Sequence, residues 1–482
     1  MKNYFSLEDC TDISSLKPGA HIHFIGVSGI AMAPLAATLS DQGFNVSGSD
    51  KEFYDPAGSI LKGSQVTTVK GYKAEHITDQ IDLVLIGNAV PATNPEVLEV
   101  EKQKKAYTCF PKAVADLVIS ERHSLVACGT HGKSTTSALA AHVAQTLELE
   151  PSFFIGAQPR SLSTPLHIGS GSISVVEGDE YDTAFFAKIP KFFLYAPDTA
   201  IITSLEFDHA DIYSSLDDII EKFDHLLTDM DSGSTVISYA DSTVVQELIA
   251  KHSHLNHQTY GQSDLAMHRL KDFRKAQGGN LLTIESTYGD ITTTIPVYGL
   301  HNSLNSLAVA IALASYGEDW SSVWSALGSF QAPKRRQEVI IDSSSLTIID
   351  DFAHHPTAVG LTIQAVKQQY PGRKVWAVFE PRSNTSRRKI FENDYIEALS
   401  KADSVLLQRP VVRELDDQSQ MFSSDFVVET LSSKHGRQAV SLDSSDQIVS
   451  HLQRNIEQGD VVLVMSNGSF GGLIAKLKLL FK

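Results

Sequence analysis

The residues with the most specific chemistry lie in the stretch 125–137, Leu-Val-Ala-Cys-Gly-Thr-His-Gly-Lys-Ser-Thr-Thr-Ser. A short apolar run ends in Gly129 and Gly132, which flank Thr130 and His131. Lys133, Ser134 and Thr135 follow, and then an alanine-rich helical pattern. This is the order strand, phosphate loop, helix. Glycines let the backbone curl so that successive N–H groups face phosphate oxygens, and the helix N-terminus adds partial positive charge. A lysine here reaches the β/γ-phosphates and the next hydroxyl can ligate Mg²⁺. Ala127 stands where the general pattern has its first glycine, so the match is to a shorter form, Gly-Thr-His-Gly-Lys-Ser. The stretch predicts an ATP site.

Other polar groups gather where apolar runs stop. The run 174–176 leads into Glu177-Gly-Asp179-Glu180-Tyr-Asp182, four carboxylates that repel one another unless a cation or solvent intervenes. The strand-like run 199–203 leads into Ser204-Leu-Glu206-Phe-Asp208-His209-Ala-Asp211, a donor set suited to a hard divalent cation and a phosphate partner. Asn302 opens a helical segment, where it can cap the helix or face a nucleotide. Lys334, Arg335 and Arg336 follow a proline at a junction, either as a solvated linker or as a guanidinium fork for phosphates. Asp350-Asp351-Phe-Ala-His354-His355, Glu380-Pro-Arg382-Ser383-Asn384 and Ser466-Asn-Gly-Ser-Phe-Gly-Gly each follow a predicted strand.

The elements that must hold these groups alternate strand and helix. In the first third, 21–26 reads as a buried parallel strand, followed by Gly26-Val-Ser28-Gly29, a helix to about residue 43, and a second strand ending near Asp50. An acidic residue roughly 20 positions after such a loop meets a ribose in dinucleotide folds. The third glycine of that fingerprint is missing, so a nucleotide diphosphate held by its phosphates fits as well as NAD. Strand 82–87 ends in the polar loop Asn88-Ala-Val-Pro, and ligands of open α/β sheets sit beyond such ends. The stretch 158–174 reads as an exposed loop.

Length and composition bound the rest. A chain of 482 residues is too long for one core, and about three domains are expected. The predicted class is α/β, with an N-terminal Rossmann-like domain over 1–118, a central P-loop ATPase domain over 119–332 and a C-terminal Rossmann-like domain over 333–482. A net charge of −17 argues against a nucleic-acid partner. Cys10, Cys109 and Cys128 lie far apart, which suggests neither a disulfide framework nor a zinc site. Apolar runs are strand-sized and the first residues do not read as a signal peptide, so no membrane insertion and a cytoplasmic location are expected.

Taken together these blocks resemble the Mur ligase family, the ATP-dependent ligases of peptidoglycan precursor synthesis, over nearly the whole chain and in the family's order. The resemblance implies a UDP-substrate domain, an ATPase domain and an amine-substrate domain, working with ATP and Mg²⁺. It implies that Ser134, Glu177 and His209 hold the metal, and that Asn302, Arg336 and Asp351 complete the nucleotide site. It places Gly26, Ser28, Gly29, Asp50 and Asn88 at the UDP-sugar, and His355, Arg382, Ser383 and Asn384 at the incoming peptide. The chain looks most like the members that use UDP-N-acetylmuramate, and among these the ones that add a murein tripeptide. Glu180-Tyr-Asp-Thr-Ala-Phe-Phe, Leu205-Glu-Phe-Asp-His-Ala-Asp and Glu380-Pro-Arg-Ser-Asn-Thr carry that likeness. Addition of L-alanine is the nearest alternative, and a non-catalytic nucleotide-binding protein the distant one. A monomer or homodimer is expected. Ser134 stands where threonine is commoner, and Ser204 where relatives usually carry asparagine. Several relatives also use a carbamylated lysine, for which Lys222 is a candidate position.

Overall fold

The computed structural model describes residues 4–412 and 417–481. Contacts divide the chain into two compact units: Met1–Leu205 with Ile219–Arg269 and Ser306–Leu327, and Glu206–Asp218 with Leu270–Asn305 and Gly328–Lys482. Each unit is built on parallel sheet, as expected where short β-branched runs alternate with helical periodicity.

Two large sheets and a two-stranded hairpin make up the first unit. The N-terminal one has strands β1 (His21–Ile25), β2 (Asn45–Asp50), β3 (Thr67–Lys70), β4 (Leu83–Ile86) and β5 (Tyr107–Cys109) in the order β3-β2-β1-β4-β5. Its strand order reverses between β1 and β4, which are parallel neighbours, so the loops after these two strands flank one crevice. Ile22, Phe24 and Ile25 of β1 and all of β4 are buried, the pattern of a strand covered on both faces.

The second sheet carries the phosphate loop. Its strands β6 (His123–Cys128), β7 (Ser152–Phe154), β8 (Leu166–His167) and β9 (Ile173–Glu177) follow in chain order. A small hairpin comes next, β10 (Asp182–Ala184) with β11 (Ala187–Pro190), and then β12 (Thr199–Ile202), β13 (Thr235–Tyr239) and β14 (Asn256–Gly261). The order across the sheet is β14-β13-β12-β6-β9-β7-β8. The central strands β12, β6 and β9 are parallel and buried, so Cys128, Glu177 and Ile202 end at one rim. The stretch 158–174, expected to be an exposed loop, contains β8, which pairs antiparallel with β7. The first residues of β15 (His268–Ala276) pair on β14.

In the second unit, β16 (Gly279–Glu285) and β17 (Ile291–Ile295) form an antiparallel hairpin. The remaining strands are β18 (Glu338–Asp342), β19 (Leu346–Asp351), β20 (Val375–Phe379), β21 (Ser404–Gln408), β22 (Gln438–Leu442) and β23 (Asp460–Met465). They run β18-β19-β23-β20-β21-β22, parallel except for the edge strand β18. Two apolar cores cover the faces of this sheet: Ile349, Ala377, Leu407 and Leu463 point into one, and Ile348, Val378, Leu406 and Val464 into the other. That alternation follows from the twofold period of strand side chains. Among the described residues no helix is long and apolar enough to cross a membrane.

Candidate active site

The phosphate loop is held against its sheet. After β6 the backbone turns through Gly129 (φ +120°) and Gly132 (φ +85°) and enters the helix Lys133–Thr146. A Cβ on Gly129 would lie 2.4 Å from Thr203 Oγ1 and 2.8 Å from the Ser204 carbonyl, so both the left-handed backbone and the close approach require glycine. Thr130 N donates to the Ser204 carbonyl at 2.9 Å and His131 N to Ser204 Oγ at 3.1 Å. Serine in place of asparagine at 204 therefore still seats the loop.

Lys133 is the first residue of the helix and is nearly buried. Its ammonium donates to Glu180 Oε2 at 2.6 Å, to the Gly129 carbonyl at 2.8 Å and to the Thr130 carbonyl at 3.4 Å. Burial works against its charge, but Glu180 and Asp179 outweigh burial and raise Lys133 above the usual lysine value. Ser134 Oγ donates to Glu177 Oε1 at 2.8 Å, and Gly156 N donates to Glu177 Oε2 at 2.7 Å. Burial, with Asp179 next, pushes the Glu177 carboxyl up. Asp179 is held below the usual carboxylate range: burial opposes this, and Lys191 at 2.8 Å overcomes it together with Lys133. Three of the four carboxylates thus find cations, Lys133 for Glu180, Lys191 for Asp179 and Lys188 for the half-buried Asp182, while Glu177 is held by Ser134 and Gly156. Glu180, which the sequence reading named among the crowded carboxylates but gave no site role, is the residue that pairs with the phosphate-loop lysine.

The residues present fit a hard cation, because Ser134 Oγ and Glu177 Oε1 place two oxygen donors side by side at the sheet rim. Lys222, the candidate for carbamylation, lies on the helix Leu216–Asp229 with its ammonium 3.7 Å from Glu221. It makes no described contact with the phosphate loop.

The N-terminal sheet builds a second cradle in the same unit. Gly26 (φ +84°) donates to the Ser49 carbonyl at 2.9 Å, and Ser28 N donates to Asp50 Oδ2 at 2.8 Å. Asp50 Oδ1 receives Lys51 N at 2.7 Å and the Tyr72 hydroxyl at 3.2 Å. Both carboxylate oxygens are therefore engaged by protein. Asp50, the acid at the spacing expected to meet a ribose, fastens the glycine loop to β2. Ser28 Oγ is buried with no protein partner, an orphaned hydroxyl at the mouth of the crevice. Gly29 lies one residue on, and Asn88 is half-buried in the turn after β4.

In the second unit, polar groups gather beyond β19, β20 and β23. Asp351 accepts Gln337 N and Ala353 N, each at 2.7 Å, one per carboxylate oxygen. Burial raises this carboxyl, against the pull of Arg336. The Arg336 guanidinium lies 4.7 Å above the Phe352 ring. Arg335 (φ +59°) donates to the Ser466 and Gly468 carbonyls and sits 3.5 Å from Asp350, whose carboxyl burial pushes up to about 6. The linker cations are therefore structural pins as well as candidates for anion binding. Asn302 is inside the helix Leu300–Tyr316 and does not cap it; its amide donates back to the Tyr298 carbonyl at 3.0 Å.

His209 (φ +50°) and the loop 382–385 are tied together. Asp208 accepts the Thr385 hydroxyl at 2.6 Å and faces His354 at 4.0 Å; burial opposes its ionisation, but His209, His354 and His355 hold it well below the carboxylate range. Asn384 donates to Asp211 at 2.9 Å. Ser383 Oγ caps its own turn through Ser386, and Arg382 lies so close over Gly468 that a Cβ there would fall 2.3 Å from its Nη1. His355 hydrogen-bonds the Phe207 carbonyl at 3.2 Å, with Glu206 at 3.5 Å from its other nitrogen. His209, His355 and Asn384 thus share one constellation, organised by Asp208 and Asp211.

Comparison with known proteins agrees with this architecture. Three family profiles match in chain order: "Mur ligase family, catalytic domain" over residues 21–122, "Mur ligase middle domain" over 128–313, and "Mur ligase, glutamate ligase domain" over 335–468. The chain is 33% identical to the UDP-N-acetylmuramate–L-alanyl-γ-D-glutamyl-meso-2,6-diaminoheptandioate ligase of Escherichia coli, across 95% of this chain and 97% of that one. It is 30% identical to the UDP-N-acetylmuramate–L-alanine ligase of Clostridium botulinum, across 93% and 95%. The crystal structure of a murein peptide ligase from Psychrobacter arcticus superposes with a TM-score of 0.71 at 28% identity, covering 96% of this chain and 98% of that chain. With three α/β domains in the family's order and a phosphate loop whose lysine is held at the sheet rim, the chain belongs to the Mur ligase family, whose members use ATP to form an amide bond.

Proposed function

We propose that the enzyme joins the murein tripeptide L-Ala-γ-D-Glu-meso-diaminopimelate to UDP-N-acetylmuramate, a recycling step in the cytoplasm. The observation that carries this reading is the 33% identity, over nearly the full length, to a relative named for that activity, against 30% for the L-alanine ligase. The sequence Glu380-Pro-Arg382-Ser383-Asn384 beyond β20 supports it, since a guanidinium can grip a peptide carboxylate in a bidentate pair. The smaller margin to the L-alanine ligase makes that activity the second reading.

In the proposed division of labour, residues 1–118 hold UDP, 119–332 hold ATP and 333–482 hold the amine. Gly26, Ser28, Gly29, Asp50 and Asn88 would line the UDP-substrate site, with Asp50 also fastening the glycine loop. Gly129 to Thr135, with Asn302, Arg336 and Asp351, would hold the nucleotide. Mg²⁺ on Ser134, Glu177 and His209 would offset charge on the transferred phosphoryl group.

A carboxylate resists attack because its charge repels the nucleophile. The lactyl carboxylate of the muramate therefore takes the γ-phosphoryl group of ATP, and ADP leaves. The peptide amine then attacks the acyl carbon and loses a proton as inorganic phosphate departs. His354, which shares Asp208 with Thr385 of the loop 382–385, its neighbour His355 and a carboxylate are the candidate proton acceptors.

The test is ADP release by the purified protein with UDP-N-acetylmuramate, ATP and Mg²⁺, given tripeptide or L-alanine in parallel, with product mass as the check. Turnover with tripeptide alone is expected. Turnover with L-alanine alone would replace this reading by the second one.

A further inference from the structure

We propose that Glu180 is a positioning residue for phosphoryl transfer: it tethers the Lys133 ammonium by one N–H and leaves the other two to turn from loop carbonyls to nucleotide phosphates. A lysine ammonium has three donors and no acceptor. In this structure they go to Glu180 Oε2 at 2.6 Å, to the Gly129 carbonyl at 2.8 Å and to the Thr130 carbonyl at 3.4 Å.

These contacts are unequal. The carboxylate contact is short and charge-assisted, whereas the other two go to neutral carbonyls and the Thr130 contact is near the limit of a hydrogen bond. An arriving phosphate therefore displaces the carbonyls first. Displacing Glu180 instead would strand a carboxylate that is 2% exposed, at an ammonium whose field also takes in Asp179 and Glu177. The buried cation next along the chain, Lys191, already serves Asp179.

The placement of Glu180 in the chain gives it leverage. Lys133 and Ser134 are consecutive, and the segment after β9 holds both: Glu180 on the ammonium and Glu177 on the hydroxyl. One turn of chain thus sets the line along which the lysine and the serine face the phosphates. The same carboxylate withdraws part of the lysine's charge from the nucleotide. It trades affinity for alignment.

The inference uses only the ATP-dependent chemistry of the family, so it stands whether tripeptide or L-alanine proves to be the amine. The experiment compares wild type, Glu180→Gln and Glu180→Asp in the full chain. ADP affinity with Mg²⁺ is measured by calorimetry, and kcat and KM for ATP with whichever amine supports turnover. In Glu180→Gln the ammonium is no longer shared with an anion, so ADP affinity is expected to hold or tighten. Alignment is lost, and kcat at saturating ATP is expected to fall by about tenfold or more.

Glu180→Asp keeps the charge on a shorter arm. Its expected ADP affinity is that of wild type, with kcat between the other two. This variant carries the test even where Glu180→Gln fails to fold. Weakened ADP binding with wild-type kcat in either variant would overturn the proposal, and so would parallel losses of affinity and turnover that track a lower Tm.

Discussion

Lys133 is where the chemistry and the stability of this enzyme meet. Its buried pairing with Glu180, beside the pair of Lys191 with Asp179, neutralises carboxylates that could not otherwise be packed together. Removing one partner of a buried pair costs about 3–5 kcal/mol because the remaining charge has no solvent. Lys133→Met is therefore expected to lower unfolding stability by about 3 kcal/mol in urea and to cut ATP turnover by about 10²-fold or more. A variant as stable as wild type would show that the carboxylates relax into water, contrary to this packing. Asp350 makes the opposite kind of prediction. Its carboxyl is pushed up to about 6 by burial, so the folded state prefers it protonated. That contribution is fully present below the ordinary carboxylate value and is lost as pH rises through about 6. Asp350→Asn is expected to gain on the order of 2 kcal/mol over wild type at pH 7 and nothing at pH 3, read from urea midpoints across pH.

At the scale of the element, the loop between β6 and its helix depends on backbone shape as much as on side chains. Gly129→Ala would place a methyl 2.4 Å from Thr203 Oγ1 in a left-handed conformation. A loss of about 1–3 kcal/mol is expected from the strain, together with loss of ADP binding by calorimetry. Retained binding would mean that the loop shifts without penalty. In the N-terminal sheet the helix Pro95–Gln103 places a buried Glu96 against Ser49 at 2.5 Å and His76 at 2.6 Å, with His23 at 3.5 Å. Burial opposes ionisation, but the contacts from His23, Ser49 and His76 hold Glu96 below its usual value. Its stabilising contribution is therefore present above the ordinary glutamate range and is lost as pH falls through the folded value. Glu96→Gln is expected to be less stable than wild type at pH 7, with the gap closing as pH falls below about 4.

At the scale of the molecule, the phosphate loop and the residues proposed for UDP lie within one compact unit, and the residues proposed for the peptide lie in the other. Nucleotide binding adds RT ln(1 + [L]/Kd) to the unit that carries the loop, about 2.7 kcal/mol at a hundred times Kd. ADP with Mg²⁺ is expected to raise the melting temperature of the transition that reports on the first unit, and Lys133→Met to abolish the shift. A shift that survives in Lys133→Met would mean that the nucleotide binds elsewhere.

The sequence alone determined the class of fold and the phosphate loop. Both rest on local signals: buried runs of β-branched residues, helical periodicity, and glycines next to Lys133. It also marked the strand ends where polar groups collect, because those groups interrupt apolar runs. Only the tertiary structure decided how the groups pair. That Glu180, 47 positions along the chain, takes Lys133, that Gly156 completes Glu177, and that Asp208 joins His209 to Thr385 depends on which strands become neighbours. Asp50 shows the same limit from the other side. Its spacing pointed to a ribose, and the structure adds what spacing could not show, that it accepts from Ser28, Lys51 and Tyr72. Spacing along a chain says which groups can reach a strand end. The partners waiting there come from other strands, and a hydrogen bond is settled by the partner that arrives at bonding distance.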